Sequence, residues 1–178
     1  MTLMTDMARL NVKHRTGGPF AAGVFDSTTN RLVAPGVNLV IATQASIAHA
    51  EIVALTLAQQ AIGHHDLGAE GLSTHELVTS TEPCAMCLGA IPWSGIRTLV
   101  CGARDEDARS LGFDEGAKPL DWVETLKTRG ILVTQDIHRS EAAQVLQDYV
   151  NDGGIMYNGR RRTPRENDHG NETDGAST

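Results

Sequence analysis

The sequence predicts an α/β fold in which a mixed β-sheet carries helices on its faces. Two apolar, β-leaning segments at residues 20–26 and 31–40 flank the turn-like STTN and predict an opening hairpin. After this hairpin, predicted strands and helices alternate, which is typical of sheets whose strands are joined by helices. The chain has 178 residues, 40% of them hydrophobic, which is enough for one domain with a sizeable core.

The individual elements follow from local signals along the chain. A helix is predicted over 46–63, with Ser46 as N-cap and Gly63 as its end, and its middle is apolar nearly all round. A second buried helix should have Pro83 in its first turn and end at Pro92. The other predicted helices are at 5–16, 105–112, 120–130 and 140–154, and the other strands at 75–80, 97–103 and 131–136.

Composition limits where the protein works and what it binds. Residues 159–178 contain one aliphatic side chain, Ala176, so we expect a disordered polar tail after a folded domain at 1–158. The N-terminal stretch lacks a signal-peptide pattern, and no apolar run approaches the ~18 residues of a membrane span. We therefore expect a cytoplasmic protein with no membrane partner. The net charge of −7 argues against a nucleic-acid partner, which needs a basic face.

Two of the three cysteines, Cys84 and Cys87, are three residues apart at a predicted helix start. Such side chains share one helix face with Cβ atoms roughly 5–6 Å apart, which suits two thiolate ligands of one Zn²⁺. A lone Cys-x-x-Cys is also compatible with a redox pair or with coincidence, but a second pair, as in a zinc ribbon, is absent. His49, near the start of the other buried helix, supplies a third zinc ligand, and Cys101 is expected in the core.

Three protein ligands leave a fourth zinc position for water, as in catalytic sites. Glu51 lies two residues after His49, at the head of an apolar helix. A carboxylate there can reach the bound water without ligating the metal. A glutamate in a first turn also favours the helix dipole, but that role does not explain why it interrupts an apolar surface.

The segments HAE at 49–51 and PCAMC at 83–87 together resemble the signature of the zinc-dependent nucleobase and nucleoside deaminases. This resemblance implies a three-layer α/β/α sandwich with a five-stranded mixed sheet, the cytidine deaminase-like fold. It also implies one Zn²⁺ per chain and a proton-shuttling role for Glu51. Within this superfamily the chain looks most like the bacterial guanine deaminases, through the segments GGPFAAGVF, VNLV, STEPCAMCLGAIPWSG, GFDEG and GIMYN.

The resemblance implies hydrolysis of guanine to xanthine and ammonia by a homodimer. In GFDEG, Glu115 is expected to be a second proton-carrying residue, with Asp114 shaping the loop or exchanging roles with it. The remaining implied substrate contacts surround a flat base: Asn38 hydrogen-bonding its edge, Phe20 and Trp93 forming walls, Ala50 lending backbone groups, and Tyr157 closing the pocket.

Other functions stay open on the sequence. The substrate could be another aminated heterocycle, such as an s-triazine, a pterin, cytosine or cytidine. A tRNA adenosine deaminase shares the zinc motif but needs a basic surface for RNA. A third possibility is a catalytically inactive zinc module that serves as an interaction domain, against which the intact His49, Glu51, Cys84 and Cys87 argue.

Overall fold

The computed structural model describes residues 1–158, and the tail predicted at 159–178 lies outside this range. Within residues 1–158 the strands are β1 (Ala21–Asp26), β2 (Arg31–Val37), β3 (His75–Thr81), β4 (Thr98–Ala103) and β5 (Leu132–Thr134). The helices of the same range are α1 (Thr2–Lys13), α2 (Val40–Thr43), α3 (Ala50–Ile62), α4 (Ala85–Ser94), α5 (Asp105–Ser110), α6 (Trp122–Thr128) and α7 (Arg139–Asn151).

The strands form one mixed sheet in the order β2-β1-β3-β4-β5. β1 pairs antiparallel with β2 and with β3, whereas β3, β4 and β5 run parallel. The predicted hairpin and mixed sheet are therefore confirmed. The carboxyl ends of β3 and β4 lie side by side, with Thr81 paired to Ala103, so the segments that follow them start from the same edge.

Helices cover both faces of the sheet, which gives the three-layer sandwich. On one face, α3, α4 and α6 bury Ala54, Ile91 and Leu126 in the larger core cluster. On the other face, α1, α5 and α7 bury Ala8, Ala108, Leu146 and their neighbours in two smaller clusters. Cys101 is fully buried in the larger cluster, as expected. No helix within residues 1–158 has the length and apolar character needed to cross a membrane.

The start of α3 differs from the prediction. His49, and not Ser46, is the N-cap, because the chain before it stays in turns and His49 itself is extended, with ψ 156°. The end is confirmed: Gly63 adopts φ 77° and its N–H donates to the Gln59 carbonyl.

The predicted bounds of α4 are also wrong at both ends. Cys84 is the N-cap, so Pro83 precedes the helix, and the helix continues through Pro92 to Ser94. Pro92 removes only the N–H that would bond one turn back, and the Ser94 hydroxyl donates to the Ile91 carbonyl at 2.7 Å in the last turn. The chain leaves the helix at Gly95, with φ 83°.

Gly36 in β2 sets how closely α3 lies on the sheet. A Cβ at this position would lie 2.3 Å from the Ala50 carbonyl oxygen and 2.5 Å from the Ala54 nitrogen. The first turn of α3 therefore rests directly on the β2 backbone. This contact fixes the position of His49 and Glu51 at the edge of the sheet.

Candidate metal centre and active site

The three predicted zinc ligands meet where two helices begin. His49 and Cys84 are the N-caps of α3 and α4, and Cys87 is in the first turn of α4. Their nitrogen and sulfur ligand atoms all lie within 4.8 Å of one another, and the His49 Nδ1–Cys84 Sγ distance is 3.5 Å. Two ligand atoms bonded to one tetrahedral zinc at about 2.0 and 2.3 Å are separated by a similar distance. The three donors therefore fit a zinc ion.

The electrostatics of the cysteine pair suit a cation. A hydrogen bond from the Cys87 thiol lowers the pKa of Cys84 to about 4, with a further contribution from His49. The pKa of Cys87 is raised by the same hydrogen bond and by burial. Burial lowers the pKa of His49, but the Cys84 hydrogen bond and charge outweigh it and raise that pKa. The low pKa of Cys84 favours the thiolate form that a metal ligand needs, and a bound Zn²⁺ would deprotonate a coordinating thiol.

Glu51 is held beside these ligands in the first turn of α3. Its side chain is 8% exposed, and burial followed by the Cys84 charge raises its pKa to about 7. A hydrogen bond from its own backbone N–H and the charge of His49 oppose this increase. A carboxyl group with a pKa near neutrality can both accept and donate a proton at physiological pH.

A second buried carboxyl group faces the same centre. Glu115 is 5% exposed, and burial followed by the charges of Cys84 and Glu51 raises its pKa to about 8. Its neighbour Asp114 is exposed and accepts the Gly116 N–H at 2.9 Å, which shapes the loop. Glu115 is thus the buried acid of this pair and Asp114 the exposed one.

Asn38 and Tyr157 form the opposite side of the site. Asn38 is fully buried, and its amide nitrogen donates to the Tyr157 hydroxyl at 2.8 Å. The Tyr157 ring lies edge-on to the His49 imidazole, with 6.2 Å between centroids. A Cβ at Gly18 would come within 2.8 Å of that ring. The C-terminal segment therefore covers the metal centre of its own chain.

One buried polar residue here was missed in the sequence. Asn11 of α1 is 4% exposed, and its amide donates to the carbonyls of Gly18 at 2.8 Å and Asn38 at 2.9 Å. It thereby fixes the backbone on which Asn38 is presented. Its position offered a signal, because it continues the buried stripe of Met4 and Ala8 at helical spacing with a polar side chain.

The other predicted contacts divide into two groups. Phe20 packs edge-on against Phe113, at 5.0 Å between centroids, and Ala50 is 1% exposed at the first position of α3. Trp93 is different: its side chain is 83% exposed on the outer face of α4. The expectation that Trp93 walls the base is therefore not met within this chain, because helical periodicity turns it away from Cys87 and Ile91, which α4 buries.

Three ligand residues with two buried carboxyl groups beside them are characteristic of a catalytic zinc centre rather than a structural one. Residues 1–103 match the family model of the cytidine and deoxycytidylate deaminase zinc-binding region, and the chain belongs to this family.

Solved structures similar to the chain agree with this assignment. The guanine deaminase of Nitrosomonas europaea is 47% identical with a TM-score of 0.81, and the alignment covers 83% of this chain and 81% of that one. A structure of NE0047 with 2,6-diaminopurine is also 47% identical, with a TM-score of 0.84, covering 90% and 84% of the two chains.

A curated relative, the guanine deaminase of Bacillus subtilis, is 38% identical over 99 residues, which are 56% of this chain and 59% of that protein. The tRNA-specific adenosine deaminase of Haemophilus influenzae is 36% identical over 99 residues, covering 53% and 51%. The chain thus spans little more than half the length of these two curated relatives.

Proposed function

We propose that the protein is a zinc-dependent aminohydrolase that converts guanine and water to xanthine and ammonia in the cytoplasm. The observation that carries the proposal is the pair of buried carboxyl groups, Glu51 and Glu115, facing one three-ligand zinc centre. Its similarity to two guanine deaminases supports guanine as the substrate.

The proton transfers follow from these two groups. A bound Zn²⁺ lowers the pKa of water to about 7 and so supplies a nucleophile at neutral pH. Glu51 would take a proton from the attacking water and pass it to a ring nitrogen of guanine. Attack at C2 replaces the exocyclic amine, which leaves as ammonia after it gains a proton. In this proposal Glu115 holds the proton that this amine requires, which its burial and raised pKa support.

In this proposal the base is bound by the polar side chain of Asn38 and by the aromatic rings of Phe20 and Tyr157. The Asn38 amide has two N–H donors, and Tyr157 accepts one of them. The second N–H is available to an acceptor on the edge of a purine. Phe20 packs against Phe113 beside this region and supplies an apolar surface for a flat ring. Tyr157 then excludes water from the bound base.

The proposed enzyme is a homodimer. On α4, Met86, Gly89 and Trp93 are exposed at helical spacing and form an apolar stripe. A Cβ at Gly89 would meet no atom within 4 Å of its own chain. In a two-fold symmetric dimer both chains use the same surface, so α4 of one chain would bury this stripe against α4 of the other.

The test is an ammonia-release screen over guanine, guanosine, adenine, cytosine, cytidine and aminotriazines. We expect guanine to be turned over fastest. Glu115→Gln should lower kcat by about 10²–10⁴-fold with zinc retained, whereas Asp114→Asn, the matched control on the same loop, should do less. Faster release from another base would replace guanine as the substrate. A wild-type kcat in Glu115→Gln would remove the second carboxylate from the mechanism.

A further inference from the structure

A buried ion pair lies beside the metal centre but outside it. Lys118 Nζ is 3.0 Å from Glu82 Oε2, and both side chains are 4% exposed. Neither residue belongs to the group of metal-ligating atoms or to the proposed substrate contacts. Among the ion pairs within residues 1–158, only this pair has two buried side chains. In every other pair at least one side chain is about a fifth or more exposed.

Each partner of the pair has further contacts. Glu82 Oε2 also accepts the Asp105 N–H at 3.1 Å, and Oε1 accepts a hydrogen bond from the Gln135 amide. Lys118 Nζ lies 3.7 Å from Asp105 Oδ1 and 4.2 Å from the centre of the Trp122 ring. The pair is thus part of a network of polar contacts.

The network joins the two segments that carry the site. Glu82 stands between the last residue of β3 and Pro83-Cys84, so its backbone leads directly into a zinc ligand. Lys118 is three residues after Glu115 on the loop between α5 and α6. A backbone bond runs in parallel, since the Ala85 N–H donates to the Glu115 carbonyl at 2.9 Å.

A buried ion pair is as a rule no more stabilising than a well-packed apolar pair, because removing two charges from water offsets their attraction. Stability alone therefore does not account for this pair, whereas its directional contacts do fix distances. We propose that Lys118, through Glu82, is a positioning residue that holds Glu115 at its working distance from the metal centre. This inference rests on the proposed function of Glu115 as a proton carrier.

The decisive experiment compares Lys118→Met in two backgrounds. In the wild-type background, kcat should fall about 10-fold or more with zinc content retained and KM changed far less. In the Glu115→Gln background the same substitution should change kcat by less than about 2-fold, because the group that it displaces is already gone. Equal losses in both backgrounds, or a wild-type kcat in Lys118→Met, would overturn the proposal.

Two further variants separate positioning from folding. The double variant Glu82→Gln/Lys118→Met removes both charges of the pair and leaves neither partner as an unpaired buried ion. Its kcat should also fall in the wild-type background and change little in the Glu115→Gln background. Lys127→Met breaks the exposed pair with Glu124 and is the matched control, with no expected effect.

Hydrogen exchange of residues 113–118 gives a readout that does not depend on the substrate. The exchange should be faster in Lys118→Met and in the double variant, and unchanged exchange in both would refute the proposed tie. If the wild-type protein releases ammonia from no base, the proposed function fails by itself, and the exchange measurement still decides whether Lys118 holds the loop.

Discussion

The contact between Tyr157 and Asn38 can be tested by removing one oxygen atom. Tyr157→Phe keeps the ring against His49 and Gly18 but leaves the amide of the fully buried Asn38 without its 2.8 Å acceptor. An unpaired buried donor costs about 1–3 kcal/mol. For a chain of this size each kcal/mol lowers Tm by about 2–4 °C. We therefore expect Tm to fall by at least about 2 °C.

Loss of the Tyr157–Asn38 hydrogen bond should also make the C-terminal segment open more often. Destabilising the closed state by 1–3 kcal/mol should speed hydrogen exchange of residues 149–158 by about 5- to 150-fold where exchange requires that opening. Gly18→Ala reaches the contact from the other side, because its Cβ would lie 2.8 Å from the Tyr157 ring. It should produce the same change in exchange.

Tyr149→Phe is the matched control. Its hydroxyl donates to the Ile155 carbonyl at 2.8 Å, and because Ile155 is 60% exposed, water can take its place. Tyr149→Phe should therefore change Tm and the hydrogen-exchange rates less than Tyr157→Phe does. If Tyr157→Phe has the Tm and the exchange rates of the unmodified protein, the hydrogen bond with Asn38 does not hold the segment closed.

Three further outcomes are expected. Glu51→Gln should retain zinc and lose turnover by about 10²–10⁴-fold or more, measured as ammonia release, and near-normal turnover would exclude it as the proton carrier. Cys84→Ala should lose zinc by elemental analysis while Cys101→Ala keeps it, and full zinc occupancy in Cys84→Ala would contradict the ligand assignment. Trp93→Glu places a charge on the exposed stripe of α4 and should give monomers in light scattering, whereas a monomeric wild-type protein would reject the dimer.

The zinc ligands could be predicted from the sequence because their signal is local. Cys84 and Cys87 share a helix face by spacing alone, and His49 and Glu51 stand at the head of a second apolar helix. The alternation of strands and helices was likewise sufficient for the mixed sheet and its hairpin. The N-cap at His49 was not predicted, because Ser46 is a better cap by propensity and only the packing of α3 on Gly36 places the start later.

The features that were missed depend on contacts between distant segments. Nothing near Lys118 in the sequence indicates that it pairs with Glu82, 36 residues away. The resemblance implied that Trp93 lies beside the pocket, but the face of α4 that carries it is set by which residues pack on the core. Asn38 and Tyr157 are 119 residues apart, so their hydrogen bond follows from the tertiary fold and not from either local pattern.

The most direct test of zinc-dependent guanine deamination is a product assay on one preparation, as purified, after chelation and after reloading. We expect equal amounts of xanthine and ammonia from guanine, loss of both when zinc is removed, and recovery with one Zn²⁺ per chain. Guanine left unchanged by the zinc-loaded protein, or turnover that persists without zinc, would contradict it.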